Sequence, residues 1–292
     1  MVNQIGTNAL YQQMTSHMSL TSNKINEAQT QASTGKRAQN YSGYGQDIKP
    51  LAFLHNQKES MTQQIQDNHR VIKHQDLMEA SIRGLQKITN LFRNNLSLLR
   101  SGENPSPNMI SDFAKDNLPF VQTLLNKTDE NGQYLFSGTL NVPPVDINQI
   151  STYYQGDYNT LTAQIAPNLT FAYGIGADDP GISNLINALA TAAQTNITSS
   201  QDAINNVMDL AEEAVAGLAD ILQRIGNNQK YVIDVNSRLK DDKVLVEQSL
   251  TEIEDVDLPE ALTNLARYQT QLTALYMAMT SQQKLSLVDF MR

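Results

Sequence analysis

Apolar residues recur at steps of three and four along most of this chain, and at steps of two in one short stretch. Near the start, Tyr11, Met14, Met18, Thr21, Ile25, Ala28 and Ala32 form such a stripe. Near the end, Leu258, Ala261, Leu265, Tyr268, Leu272, Leu275 and Met279 repeat it. Heptad spacing of this kind keeps one seam facing a partner helix. The rest of each terminal segment is rich in Gln, Asn, Ser and Thr. An isolated helix draws most of its stability from a packed face, so the two ends are expected to pair with each other or with other chains. The candidate interaction residues are therefore Tyr11, Met14, Met18, Ile25 and Ala28 at one end. At the other they are Leu258, Leu265, Tyr268, Leu272, Leu275 and Met279.

Between the ends the pattern predicts a series of helices. The first runs from about Asn8 to Ser33 and stops at Gly35, a residue that tolerates the left-handed backbone of a helix end. The Tyr- and Gly-rich passage from Asn40 to Pro50 predicts a loop or hinge. A long helix follows over about 51–100, with Met61, Ile65, Ile72, Ile82, Phe92, Leu96 and Leu99 on one stripe. Gly84 inside it costs roughly 1 kcal/mol relative to Ala. A turn at 101–107 leads into a helix over about 108–129, where Pro119 predicts a kink or a break. Gln133-Tyr134-Leu135-Phe136-Ser137-Gly138 is short, apolar and bounded by glycine, the mark of a strand or an extended anchor. Leu161, Ala163 and Ile165 then alternate with polar residues, as do Leu169, Phe171 and Tyr173 after Pro167-Asn168; this predicts a β-hairpin.

Helical spacing returns at Ile182. After a cap at Ser199-Ser200 the longest stripe begins, from Val207 to Ile253, with polar Asn228 and Asp242 expected on the seam as register-fixing residues. The stripe breaks at 255–260, where Asp257 and Glu260 have capping-box spacing and Pro259 suits a first turn. The expected fold class is mainly α: a nested long-helix bundle or coiled coil with paired N- and C-terminal helices and a small β-rich insertion. The expected domains are a terminal assembly domain (1–40 with 256–292), a helical bundle (41–138 with 183–255) and the β-rich insertion (139–182).

Composition narrows the function. With 292 residues the chain is long enough for one large domain or several small ones, and its 40% hydrophobic content, without Trp, suits thin helical layers. The net charge of -9 opposes nucleic-acid binding, which needs a basic face. Absence of cysteine removes disulfides, thiolate metal sites and cysteine nucleophiles. The first residues have neither a basic start nor an apolar core, so no cleavable secretory signal is expected. The uncharged run 180–201 is long enough to span a bilayer but is studded with Asn, Gln, Ser and Thr, and no membrane helix is expected.

No catalytic, metal or cofactor constellation emerges. His17, His55, His69 and His74 are the only histidines. His55 with Glu59, and His69 with His74, lack a third ligand in the right geometry for a metal. Thr34-Gly35-Lys36 resembles the end of a phosphate loop, but Thr30 stands where the first glycine belongs, and a helix stop accounts for it. Gly174-x-Gly176 lacks the third glycine of a dinucleotide fingerprint. Asp178-Asp179 before Pro180 reads as a turn.

Several short segments, in order along the whole chain, resemble the bacterial flagellin superfamily, and most of all its hook-filament junction branch. Ala32-Ser33-Thr34-Gly35-Lys36-Arg37 is similar to the end of the family's first helix. Asn131-Gly132-Gln133-Tyr134-Leu135-Phe136-Ser137-Gly138 resembles the Gly-x-Tyr-Leu-Phe-Ser-Gly segment of the junction branch. Tyr154-Gln155-Gly156-Asp157, Glu254-Asp255-Val256-Asp257 and Leu285-Ser286-Leu287-Val288-Asp289-Phe290 resemble later family segments. The passage 41–47 departs from the family's usual Asp-Asp-Pro segment. The resemblance implies a secreted structural protein without enzymatic activity, exported through the flagellar type III channel. It implies a ring of subunits between the other hook-associated protein and the flagellin filament, and an export chaperone on the C-terminal region. Filament flagellin is the alternative, and a ligand-binding or enzymatic module in the β insertion ranks low.

Overall fold

The computed structural model describes residues 2–101, 108–194 and 201–290. Residues 102–107 of the turn expected at 101–107 and the cap expected at Ser199-Ser200 lie outside the described residues. The chain is mainly α, with helices α1 (Val2–Thr34), α2 (Ile48–Arg100), α3 (Met109–Leu125), α4 (Pro180–Gln194), α5 (Gln201–Glu254) and α6 (Leu258–Phe290). A two-stranded antiparallel sheet, β1 (Thr162–Ala166) and β2 (Leu169–Ala172), and two short 3-10 helices, Tyr41–Asp47 and Ile150–Thr152, complete the described elements. The helical bundle with a small β element is the fold class the periodicity predicts. The chain divides into two compact units, Met1–Glu59 with Lys243–Arg292, and Ser60–Asp242.

In the unit spanning Ser60–Asp242, four helical stripes converge on one core. α2 contributes Met78, Ile82, Leu85, Phe92 and Leu96, and α3 contributes Ile110, Ala114, Val121 and Leu125, all fully buried. α4 adds Leu185, Ile186 and Leu189, and α5 adds Val207, Ala211, Ala214, Leu218, Ile221 and Ile225. Each set follows the three-and-four spacing that puts a single face inward. Phe92 and Phe113 stack with centroids 5.8 Å apart. Two glycines set the closest approach: a Cβ on Gly181 of α4 would lie 2.5 Å from the Gly217 backbone of α5. α3 runs through Pro119 as one helix. Pro119 lies on the exposed face, where a backbone carbonyl left without its N–H partner meets water rather than the core.

The Tyr134–Gly138 segment is neither a ladder strand nor extended: after one isolated bridge, Thr128 to Tyr134, the chain bends at Leu135, Phe136 and Ser137 and turns at Gly138. Leu135 and Phe136 are fully buried in the helical core, worth roughly 2–3 kcal/mol each. Around them Leu135 N–H donates to Lys127 O and Ala177 N–H to Phe136 O, both at 3.0 Å. The hairpin pairs Ala163 with Phe171 and Thr162 with Ala172, and turns at Pro167-Asn168, where Asn168 takes φ +59. Asn is among the residues that tolerate that conformation. Its inward residue, Ile165, joins Val71, Val232, Val235 and Leu239 in a second small core.

The polar residue buried on the α5 stripe is Asn236, not the expected Asn228 or Asp242. Asn228 is half-buried and Asp242 exposed, whereas Asn236 Oδ1 accepts from Asn68 Nδ2 at 3.1 Å, and Asn68 also donates to Ile165 O at 2.8 Å. Asn236 has a partner brought from α2, so its burial is compensated.

Candidate assembly interface

In the other unit, α1 packs antiparallel to α6. Gly35 ends α1 with φ +69, its N–H donating to Gln31 O at 2.9 Å. At the facing end Asp257 caps α6: Glu260 N–H donates to Asp257 Oδ1 at 3.2 Å, and Ala261 N–H to Asp257 O at 2.9 Å. The helix stop and the helix start thus lie side by side. Val256 N–H donates to Gly35 O at 2.9 Å and Arg37 N–H to Glu254 O at 2.6 Å, closing a short antiparallel bridge between Lys36 and Asp255.

Side chains lock this junction. Glu254 is mostly buried and uses both oxygens, one toward Lys36 Nζ and the other toward His55 Nε2 at 2.6 Å. Lys36 Nζ also lies 3.4 Å from Asp255 Oδ1. Burial works to raise the Glu254 carboxyl, but the hydrogen bonds from Lys36 and His55 outweigh it and hold it below its ordinary value. The hydrogen bond to Glu254 correspondingly raises the Lys36 ammonium. Arg37 pairs with Asp47 at 2.6 Å and lies over the Tyr44 ring at 5.3 Å, fixing the passage after α1. That passage, expected as a loop, is two short helical turns meeting at Gly45, whose φ of +57 breaks the helix.

The predicted interaction residues divide by depth. Ala28 is buried, together with Thr21 and Ala261. Met14, Met18, Ile25, Leu265, Tyr268, Leu272, Leu275 and Met279 are half-buried along the seam, and Tyr11 and Leu258 are exposed. Lys24 Nζ sits 5.5 Å from the Tyr268 ring centroid, a cross-helix cation–π contact. A two-helix seam covers only part of each side chain, and beside it runs a second apolar flank. Leu258, Leu262 and Tyr276 share one stripe of α6, with Leu262 56% and Tyr276 54% exposed. Met277 on α6 and Leu20 on α1 are exposed at 67% and 55%. Large apolar side chains in this number are surface that a further helix would cover.

Sequence reasoning did not find Lys36, His55 and Glu254 as a group. One signal was available: a basic pair follows the stop of α1 and an acidic pair precedes the start of α6, and antiparallel pairing of those helices brings the two together. Among the described residues no cluster of three His, Asp or Glu side chains is placed to hold a metal ion. Among them, too, no helix is long and apolar enough to cross a membrane. Asp179 caps α4, accepting from Gly181 N–H at 3.0 Å, and pairs with Arg224, which accounts for the Asp-Asp turn.

Residues 208–291, covering most of α5 and all of α6, match the model of the bacterial flagellin C-terminal helical region. This chain is thus similar to bacterial flagellin over that C-terminal region. Its fold is shared with three solved flagellar proteins. One is a putative flagellar hook-associated protein from Vibrio parahaemolyticus: TM-score 0.60, 13% identity, 71% of this chain and 97% of that one covered. Another is FlgL from Bacillus cereus: TM-score 0.56, 16% identity, 68% and 96% covered. The third is flagellar hook-associated protein-3 from Legionella pneumophila: TM-score 0.60, 10% identity, 70% and 98% covered. No curated protein sequence matches the chain. The matched region contains α6 of the α1–α6 pair and Glu254 of the Lys36–Glu254–His55 clasp at its base.

Proposed function

We propose that this protein is a structural component of the bacterial flagellum that assembles through its terminal helices. The observation that carries the proposal is the α1–α6 pair in a chain similar to flagellin over its C-terminal region: a half-buried seam flanked by exposed Leu20, Leu262, Tyr276 and Met277. An isolated helix pair with such flanks is marginal in water and gains by packing against further helices. The specific place is the junction between hook and filament, as a ring of subunits between the other hook-associated protein and flagellin. The fold shared with hook-associated proteins supports that position over the filament itself. Before assembly the chain travels through the flagellar export channel, with a chaperone holding the C-terminal helix that later forms the seam. Its work is mechanical rather than enzymatic.

Polymerisation tests the position. Purified protein at high concentration, observed by electron microscopy and sedimentation, is expected to stay as monomers or short oligomers. Long filaments growing without a seed would assign it to filament flagellin instead.

A further inference from the structure

One titratable group in the unit Ser60–Asp242 has no part in the helix-pair interface. His74 lies on α2 with only 7% of its side chain exposed. Its Nε2 is buried without a hydrogen-bond partner, and its ring meets the Tyr173 ring edge-on at 5.5 Å. The other nitrogen, Nδ1, faces Asp129 Oδ2 at 3.8 Å, too far for a hydrogen bond.

Three parts of the fold meet at this ring. α2 carries it, Tyr173 follows β2 of the hairpin, and Asp129 organises the turn after α3. Asp129 Oδ1 accepts from Asn131 N–H at 2.8 Å and Gln133 N–H at 3.0 Å, and Asp129 N–H donates to Gln133 O at 2.8 Å. Asp129 Oδ1 is therefore committed to its turn, while Oδ2 is the oxygen that faces His74. The charged groups around the same depression are Arg70, Lys73 and Asp76 from α2, and Asp129 and Glu130 from the turn. Arg70 pairs with Asp67, Lys73 with Glu130, and Asp76 accepts from Gln229 of α5 at 2.8 Å. Tyr173, from the hairpin, is held protonated by burial and then by the Asp129 charge.

We infer that His74 is a proton-operated catch. As the neutral imidazole it lets the hairpin and the turn after α3 close on α2, and protonation in mildly acidic solution loosens both. A cation formed at this buried ring has one carboxylate oxygen near it, Asp129 Oδ2 at 3.8 Å from Nδ1, and gains an N–H at Nε2 with nothing to accept it. Burial accordingly lowers the affinity of His74 for a proton, with Asp129 and the Leu135 backbone opposing only in part. A histidine that stays neutral when folded but protonates when unfolded leaves stability intact above its ordinary value of 6.5. That stability is lost as the pH falls below it. Asp178, raised by burial, contributes with the opposite sign and cannot produce the same loss.

The test is backbone hydrogen exchange of the full-length chain, read by mass spectrometry at about pH 7.5 and about pH 5.5 and corrected for intrinsic exchange. The wild type is compared with His74→Gln. In the wild type, residues 126–135 and 162–173 are expected to lose roughly tenfold or more protection at the lower pH. The helical core at 109–125 and 201–225 should keep its protection. His74→Gln should show no such pH-dependent loss, whatever its overall stability. Equal loss in both proteins overturns the proposal. Should the variant fail to fold, NMR of the wild-type imidazoles decides. His74 remaining neutral until those two segments open supports the catch, and His74 titrating at its ordinary value with both segments still protected refutes it.

Discussion

Glu254→Gln is the substitution that most sharply isolates the junction between the terminal helices. It keeps the side chain's length and its backbone bonds to Arg37 but removes the charge that draws both Lys36 and His55. Glu254 is 14% exposed, whereas Lys36 and His55 are 42% and 34% exposed. The loss therefore lies between that of an exposed ion pair, about 0–1 kcal/mol, and that of a buried hydrogen bond to a charged group, about 1.5–3 kcal/mol. Taking about 1–2 kcal/mol, opening of the junction becomes roughly 5–30 times more frequent. The readout is hydrogen exchange at the Arg37 and Val256 amides, whose bonds to Glu254 O and Gly35 O close the bridge. Both are expected to exchange faster by that factor, with the core near Phe92 unchanged.

The pH dependence has a definite sign. Glu254, held low, contributes fully above its ordinary value of 4.5 and loses that contribution as the pH falls through its depressed value. Lys36, held high, contributes fully below its ordinary 10.5 and loses it as the pH rises through its raised value. The clasp is therefore strongest across the neutral range. Unchanged exchange at Arg37 and Val256 in Glu254→Gln would refute the clasp.

Three further outcomes follow from the packing. Leu272→Asp, or Leu265→Asp, places a charge on the half-buried seam and should abolish incorporation into flagella, while the thermal transition of the unit Ser60–Asp242 stays within about 0.5 kcal/mol of wild type; loss of that transition would put the seam in the monomer core. Gly181→Ala drives a methyl group into the Gly217 backbone and should destabilise by about 2–3 kcal/mol or more, whereas Gly226→Ala, with nothing within 4 Å of its Cβ, should stabilise by up to about 1 kcal/mol; thermal melts that failed to separate the two would contradict the helix contact. Limited trypsin digestion of the monomer should cut before Gly35 and after Asp257 well before it cuts the middle, and equal resistance throughout would count against helices that settle on assembly.

Local patterns carried most of the fold. The helices, the stop at Gly35, the cap at Asp257 and the Pro167-Asn168 hairpin each depend on a few neighbouring residues, so spacing alone reveals them. Residues joined across the chain were harder to read. Histidine 55 was weighed against Glu59, four positions away, yet its partner is Glu254, 199 positions away. The basic pair Lys36-Arg37 carries no mark of its partners in the sequence, yet each residue is paired with a carboxylate. Asn228 and Asp242 fit the α5 stripe by arithmetic, but burial fell to Asn236, which α2 supplies with a partner. The apolar seam itself was visible in the heptads. How much of each seam residue a single partner helix covers was not, since that depends on the number of neighbours.

The central claim is a structural role at the hook-filament junction, and its most direct measurement is the position of the protein on isolated flagella. Gold-labelled antibody against this chain, imaged by electron microscopy, should mark one narrow band where the hook meets the filament. Label spread along the whole filament, or absent from the flagellum, would contradict the account.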